Sequence, residues 1–532
     1  MASKDRFPFQ HVWMGLIALL FLVGSLVLMN PAYVFVSPDE TANGFFAERV
    51  AQTLIPQGEQ NDLLQSFDRL HPRSTLVLEG RVVPGSFLGL PVLYGFFVMI
   101  LGSKVLWFLT PLLTIIAAFA WKKLIARFTS DLVGALAFAL FLLHPAIWYY
   151  TARGLMHNVL FLDLLVLGAW LWVNRPIGRG KTPSIWNELF AGLLIGLTFF
   201  VRTSEALWMT GALLLAGLIW WRTISWGRLR AGMFGLTVGI ALLLLMNTLT
   251  YGSAFTTGYT IGSTPVIDIP ITDSIDSVAL LPFGFHPMNA WRHFLAYGVT
   301  MFWWISLLAL PGFFLLLAQK AHRRTLRFVV ALATGISIWL VFMYGSWEIH
   351  DNPDPTQITM ANSYVRYWLP MYVCATPMVA MTIRWVSSRG RSTLTRGLII
   401  ATFLLAVIGL NVNATFLQGQ DGLLKMRAEV LRGAEIQESV LRYTEVTSVI
   451  IVDRADKLFF PHRSVWYPLR DEATYEAMPA LVEESGLYYY GITFPEEDLT
   501  YLNESRLKRM NLGIERIETY DEESLYRISI TP

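Results

Sequence analysis

The chain has 532 residues, 54% of them hydrophobic and 15% charged, with a mean hydropathy of +0.48. That balance excludes an ordinary soluble globular protein and implies a polytopic membrane protein. The 41 basic and 39 acidic residues nearly cancel, so net charge argues for no nucleic-acid partner, and a single cysteine excludes an intrachain disulfide framework or a cysteine zinc cluster. Cys374 lies in an apolar run and reads as a small core hydrophobe.

In chain order, residues 13–29 form an apolar run long enough to cross a bilayer, which takes roughly 20 residues. Lys4 and Arg6 give it a basic start, but no small-residue cleavage site follows, so it reads as an uncleaved first span. An acidic pair, Asp39 and Glu40 in Ser37-Pro38-Asp39-Glu40-Thr41-Ala42, follows this span and opens a polar stretch to about residue 84. The next apolar run, 87–102, is short and marked by Pro84, Gly85, Gly89 and Pro91. Further spans read at about 105–121, 132–150, 159–173, 189–201, 206–221, 233–249, 294–318, 328–344, 367–383 and 398–410, giving about eleven helices at bilayer length.

Charge decides whether the 87–102 run crosses. If it does not, the basic loops around Lys122, Arg175, Arg222, Lys320 and Arg384 all fall on the side of Lys4 and Arg6, the cytoplasmic side by the positive-inside rule. If it crosses, every one of those loops is thrown outside. The non-crossing topology gathers a different set on the outer face: Asp39 and Glu40; Arg69, His71, Arg73 and Arg81 in a first external loop of about 30–103; Arg153, His157 and Asn158; Arg202 and Glu205; 251–259; His286; Glu348, His350 and Asp351; and Arg366. Charges of both signs at one membrane face suit an anionic lipid substrate.

After Asn413 the composition turns mixed and charged. Strand-like runs at 448–452, 487–492, 514–520 and 524–530 alternate with helical stretches near 475–484 and 496–510. The chain therefore divides into a membrane domain at 1–413 and a small extracytoplasmic α/β domain at 414–532, large enough for its own core. Sequons at Asn413 and Asn503 are too degenerate to weigh. There is no P-loop, dinucleotide fingerprint or short-period repeat.

Four stretches resemble the membrane-integrated GT-C glycosyltransferases, in particular the protein O-mannosyltransferase and aminoarabinose lipid A transferase group. They are Pro38-Asp39-Glu40 with the amphipathic run 42–52; Thr151-Ala152-Arg153-Gly154-Leu155-Met156-His157-Asn158, where Asn158 stands at the helix-opening Asp of the pattern; Tyr251-Gly252-Ser253-Ala254-Phe255-Thr256-Thr257-Gly258-Tyr259; and Ser363-Tyr364-Val365-Arg366-Tyr367-Trp368-Leu369-Pro370. The resemblance spans residues 11 to about 413. It implies a mostly α, GT-C-like membrane fold in the cell membrane, with amphipathic helices in the first external loop. It also implies transfer of a sugar from a polyprenyl-phosphate donor to a protein, lipid or glycan acceptor on the outer face, with Asp39 as the catalytic base.

The chemistry fits the residues independently. Such a transfer needs a carboxylate near the acceptor hydroxyl and cationic donors around the leaving phosphate, and it inverts if one base acts without a covalent intermediate. Glu40 would tune Asp39 or bind sugar hydroxyls. The bland reading is that the pair caps a helix beginning near Thr41; the resemblance tips the balance to function. Arg366 and Arg153 rank above Arg202 as phosphate ligands, because Glu205 three residues after Arg202 can pair with it across one turn. Against all three stands the reading of arginines anchoring helix ends to headgroups. Tyr251 and Tyr259 would suit sugar stacking, although an interfacial aromatic belt is the commoner use of tyrosine at this depth, and His157, Asn158 and Glu348 would contact substrate. A divalent cation is open: His157, His286 and His350 could join Glu348 or Asp351, although separate loops and the lack of metal-ligand spacing favour hydrogen-bonding histidines. Two other classes stay open, a lipid-linked glycan flippase or secondary transporter, whose ionisable groups tend to sit at the midplane on broken helices, and a non-catalytic accessory subunit.

Overall fold

The computed structural model describes residues 10–173, 185–220, 222, 225–261, 281–320, 322–349, 351 and 357–531. Lys4, Arg6, Arg175, Arg179, Lys181 and His350, which enter the topology and histidine arguments, lie outside the described residues.

The protein is a mostly helical, multi-pass membrane protein with a C-terminal mixed sheet, and helix occupies each run read as a span. Among the described residues five helices are long and apolar enough to cross a bilayer: Ser103–Phe128, Thr203–Trp220, Trp226–Tyr251, Arg323–Gly345 and Thr393–Leu417. Two bent pairs would raise the number to seven, Asp131–Leu143 with Pro145–Ala152 (50°) and Pro287–Thr300 with Trp303–Ala318 (95°). The first bend has a covalent cause: His144, at ψ 126°, has left the helical region, as the residue before a proline tends to, and Pro145 has no N–H to continue the ladder. Helix length thus supports five to seven of the eleven expected spans, the rest being shorter or less apolar. The ambiguous run is the 13-residue helix Gly89–Leu101, about 20 Å at 1.5 Å per residue, against a hydrocarbon core of about 30 Å. It lies on helix Pro38–Thr53, where Gly95 leaves room for Val50 and the Ala47 carbonyl.

The chain forms two compact units. One comprises Met1–Val27, Trp107–Leu243 and Pro265–Lys425. Its helix Asp131–Leu143 is capped by the Ser130 side chain and buried continuously from Val133, and Pro145–Ala152 after it is buried throughout. Helices Ile185–Val201 and Trp226–Tyr251 meet along small residues, Gly192 and Gly196 against Gly232, Gly235 and Gly239, which lets two backbones approach in a lipid solvent that offers no hydrophobic driving force between helices.

The second unit comprises Leu28–Leu106, Leu244–Thr264 and Met426–Pro532. It holds a hairpin, β1 (Thr75–Leu78) and β2 (Arg81–Pro84), turned by Glu79 and Gly80, both at positive φ, as a two-residue hairpin turn requires. It also holds a five-stranded sheet of β3 (Val449–Val452), β4 (Ser464–Trp466), β5 (Leu487–Ile492), β6 (Leu512–Tyr520) and β7 (Glu523–Ile530) in the order β4-β3-β5-β7-β6. β3 pairs in parallel with β4 and β5, the rest antiparallel; β3 reads Val-Ile-Ile-Val and is buried throughout, as a strand covered on both faces must be. Ala42, Phe46, Leu64, Leu70 and Val82 of the first loop share one core with these strands, and Phe45 meets Phe460 edge-on at 4.8 Å. The first loop and the C-terminal α/β segment therefore fold around the same hydrophobic centre.

Candidate functional site

The acidic pair sits in the first turn of helix Pro38–Thr53, inside the helix and past its cap position. Ser37 is the N-cap and Pro38 occupies the first helical position, where its missing N–H costs nothing. Asp39 and Glu40 are then the second and third helical residues, so the pair does not stand at the cap of a helix beginning near Thr41; Ser37 holds the cap position, without a side-chain bond to the helix N–H groups. Glu40 is 1% exposed, and its Oε2 accepts the Ser37 hydroxyl at 2.7 Å, a variant of the capping-box pairing. Asp39 is only partly buried and carries no capping duty. Its Oδ1 accepts a hydrogen bond from the Ser74 hydroxyl at 2.5 Å, and its place in the first helical turn favours the ionised form.

The loop that delivers Ser74 is tied to the α/β segment. Arg73 donates through Nε (3.1 Å) and Nη2 (2.6 Å) to Oδ1 of the fully buried Asp456, and its backbone N–H donates to Oδ2 at 2.8 Å. Nη2 also reaches the Arg454 carbonyl at 2.8 Å. Two residues before, His71 Nδ1 lies 3.0 Å from the Pro72 carbonyl. Burial pushes the His71 imidazole below its ordinary value and Arg69 adds to this, while the Pro72 carbonyl, Asp68 and Asp456 oppose it.

In the membrane unit, Arg366 is carried by the short helix Ser363–Tyr367, whose N-cap Asn362 accepts from the Tyr364 N–H. The turn leading into it is held from three sides. The Tyr150 hydroxyl lies 3.1 Å from the carbonyls of Met360, Ala361 and Asn362; Asp421 accepts the Ala361 N–H at 2.5 Å; and Asp351 accepts the Ser363 N–H at 2.7 Å. The Arg366 carbonyl accepts from Asn158 at 3.1 Å, so Asn158 holds the backbone of the arginine. Arg366 and the buried Arg153 both lie within electrostatic reach of the Tyr150 hydroxyl, as do Asp351 and Asp421. His157 is buried immediately before Asn158 at the same helix start. Arg153, His157, Asn158 and Arg366 thus belong to one cluster.

Arg202 is committed elsewhere. Its guanidinium meets Glu205 at 2.7 Å, with both side chains under 7% exposed, and Tyr344 bonds both partners at 3.1 and 2.6 Å. The ring of Tyr367 joins this network to the cluster, with the Arg202 guanidinium 5.2 Å and the Arg366 guanidinium 5.3 Å from its centre. Glu348 is exposed and paired with Arg292 and Asn289 at 3.2 Å each; in the second unit the exposed Tyr259 leans on Phe87 at 4.9 Å. Among the described residues no three His, Cys, Asp or Glu side chains gather so as to hold a metal ion. The sequence names Arg73 on the outer face but gives no sign of its partner Asp456, nor of Ser74 or Tyr150; Tyr367, inside Arg366-Tyr367, stands within a quoted motif without its role being legible.

No family model matches the chain, and no curated protein matches it. Solved structures do. The chain is similar to ArnT from Cupriavidus metallidurans in the apo state, with a TM-score of 0.51 and 12% identity over 97% of this chain and 98% of that one. It is similar to the same protein bound to undecaprenyl phosphate, with a TM-score of 0.53 at the same identity and coverage. The Archaeoglobus fulgidus oligosaccharyltransferase in complex with Zn and sulfate gives a TM-score of 0.50 and 11% identity, over 94% of this chain and 69% of that one. The fold is therefore GT-C-like over nearly the whole chain.

Proposed function

We propose that this protein is an integral membrane glycosyltransferase that moves a sugar from a polyprenyl-phosphate donor to an acceptor hydroxyl at the extracytoplasmic face, with inversion. The observation that carries the reading is the fold shared from end to end with ArnT, one of whose structures holds undecaprenyl phosphate. In this reading Asp39 accepts the acceptor's proton as the acceptor oxygen bonds to the anomeric carbon. The bond from that carbon to the phosphate oxygen breaks, and its electron pair leaves with the phosphate. Arg366 and Arg153 neutralise the charge developing there, a task suited to guanidinium forks. Glu40, buried and bonded to Ser37, holds the helix start on which Asp39 stands. His157 and Asn158 support the arginines, and Arg202 shapes the ring of Tyr367 between them. Tyr259 and Glu348, exposed at their loops, would meet the acceptor.

The test is Asp39→Asn. Asparagine keeps the size of the side chain and can still accept the Ser74 hydroxyl, and the N-cap position belongs to Ser37, which the substitution leaves in place. It cannot take a proton. A general base contributes on the order of 100- to 10,000-fold, so release of undecaprenyl phosphate from a panel of undecaprenyl-phosphate hexoses and pentoses should nearly cease in the variant, with undecaprenyl phosphate affinity and expression unchanged. Parental release by Asp39→Asn on any donor the parent uses refutes the assignment.

A further inference from the structure

The Ser74 side chain is bonded to Asp39, and its backbone is held in a conformation that serine rarely adopts. Its φ is +66°, in the left-handed region that is strained for an L-residue with a side chain. Such strain persists only where the surroundings over-determine it, and here they do. On one side the Arg73 N–H and guanidinium are fixed to buried Asp456. On the other, Thr75 opens β1, pairs with Pro84 and bonds the Pro72 carbonyl through its hydroxyl at 2.7 Å. Between them the Ser74 carbonyl accepts the Gly85 N–H at 3.0 Å, and a side chain at Gly85 would press on the Ser74 carbonyl carbon. All of these contacts lie within one compact unit.

We propose that Ser74 is a positioning residue for the Asp39 carboxylate: the α/β segment, through Asp456 and Arg73, clamps the first loop so that the Ser74 hydroxyl fixes the orientation of Asp39 and favours its ionised form. A hydrogen bond donated to a carboxylate stabilises the charged state over the protonated one. The catalytic meaning of this rests on the reading of Asp39 as the base; the linkage between the two side chains does not.

Glycine separates the hydroxyl from the fold. At a positive φ, Ser74→Gly removes backbone strain while deleting the donor, so the variant should fold with an apparent Tm equal to or above the parent's. The assay is an infrared pH titration of the full-length protein in nanodiscs, with the Asp39 signal identified as the carboxyl band that disappears in Asp39→Asn. In Ser74→Gly that band should titrate about one pH unit higher, the displacement expected for losing a charge-assisted hydrogen bond, and the acidic limb of turnover should move with it. An unchanged titration midpoint in a folded Ser74→Gly overturns the proposal. A shifted midpoint alongside full turnover in Asp39→Asn would instead retain the linkage and reject Asp39 as the base.

Discussion

The clamp between Arg73 and Asp456 joins residues 383 positions apart, and its removal should destabilise the unit that contains them by about 3 kcal/mol. Asp456 is fully buried, whereas 37% of the Arg73 side chain is exposed. Arg73→Ala would strip the carboxylate of every guanidinium contact and leave it the N–H of residue 73. Losing one partner of a buried pair costs about 3–5 kcal/mol; the partial exposure of the guanidinium puts the expectation at the low end. For a unit of roughly 200 residues, each kcal/mol displaces Tm by about 2–4 °C, so the apparent Tm should fall by about 6–12 °C. Lysine should restore less than half of this, because an ammonium cannot reproduce the two-point fork. Thermal unfolding followed by tryptophan fluorescence in detergent measures it, with limited proteolysis between residues 67 and 75 as the local probe. A drop under 2 °C in Arg73→Ala, with the loop no more readily cleaved, would show that the contact contributes nothing and would remove the anchor on which the placement of Ser74 depends.

Three further outcomes are expected. Replacing Arg366 with Ala should weaken undecaprenyl phosphate binding at least tenfold and replacing it with Lys by less, since each charge-assisted bond contributes about 1.5–3 kcal/mol; Arg153→Ala should behave likewise, and parental binding by both Ala variants would make these residues membrane anchors. In a Cys374→Ala background, an impermeant thiol reagent added outside should label a cysteine at half-buried Ser505 and not one at exposed Ser388, and the reverse pattern would invert the topology. His71 is held neutral by burial, with its folded value depressed, so the unfolded chain takes up the proton first. Stability should therefore be intact above the unfolded value of about 6.5 and fall as the pH drops below it; His71→Gln should flatten that acid slope in apparent Tm between pH 7.5 and 5.5, and an identical slope in the variant would discount the residue.

What could be read ahead of the structure follows from the range of each interaction. Apolar runs fix helices by composition alone, and β5 at 487–492 was placed to the residue because a buried strand is a short apolar block between turn signals. Helix Leu423–Tyr443 escaped notice because its sequence is polar and charged on much of its surface, and β4 because three residues carry no period. The 496–510 stretch was read as one helix, but it breaks after Tyr501 into a π turn and a 3-10 turn. At the acidic pair a local signal is present, since Ser-x-x-Glu at Ser37 and Glu40 spells a capping box, yet Pro38-Asp39 read as a cap puts the helix start near Thr41, three residues downstream of the one observed.

The remainder of the site is non-local by construction. No feature of the sequence near Ser74 announces that it will sit at a positive φ, because the cause lies with Asp456 and Gly85, one of them in another part of the chain. The same holds for the Arg366 cluster, where Tyr150, Asp351 and Asp421 come from three separate stretches to hold one turn. A helix start can place a carboxylate, but it cannot aim it; aiming takes a second element held by a third. A site that must orient a partly buried carboxylate or guanidinium against the freedom of a loop draws its supports from distant segments, and this is why the bearers of charge were legible in the sequence while the residues that position them were not.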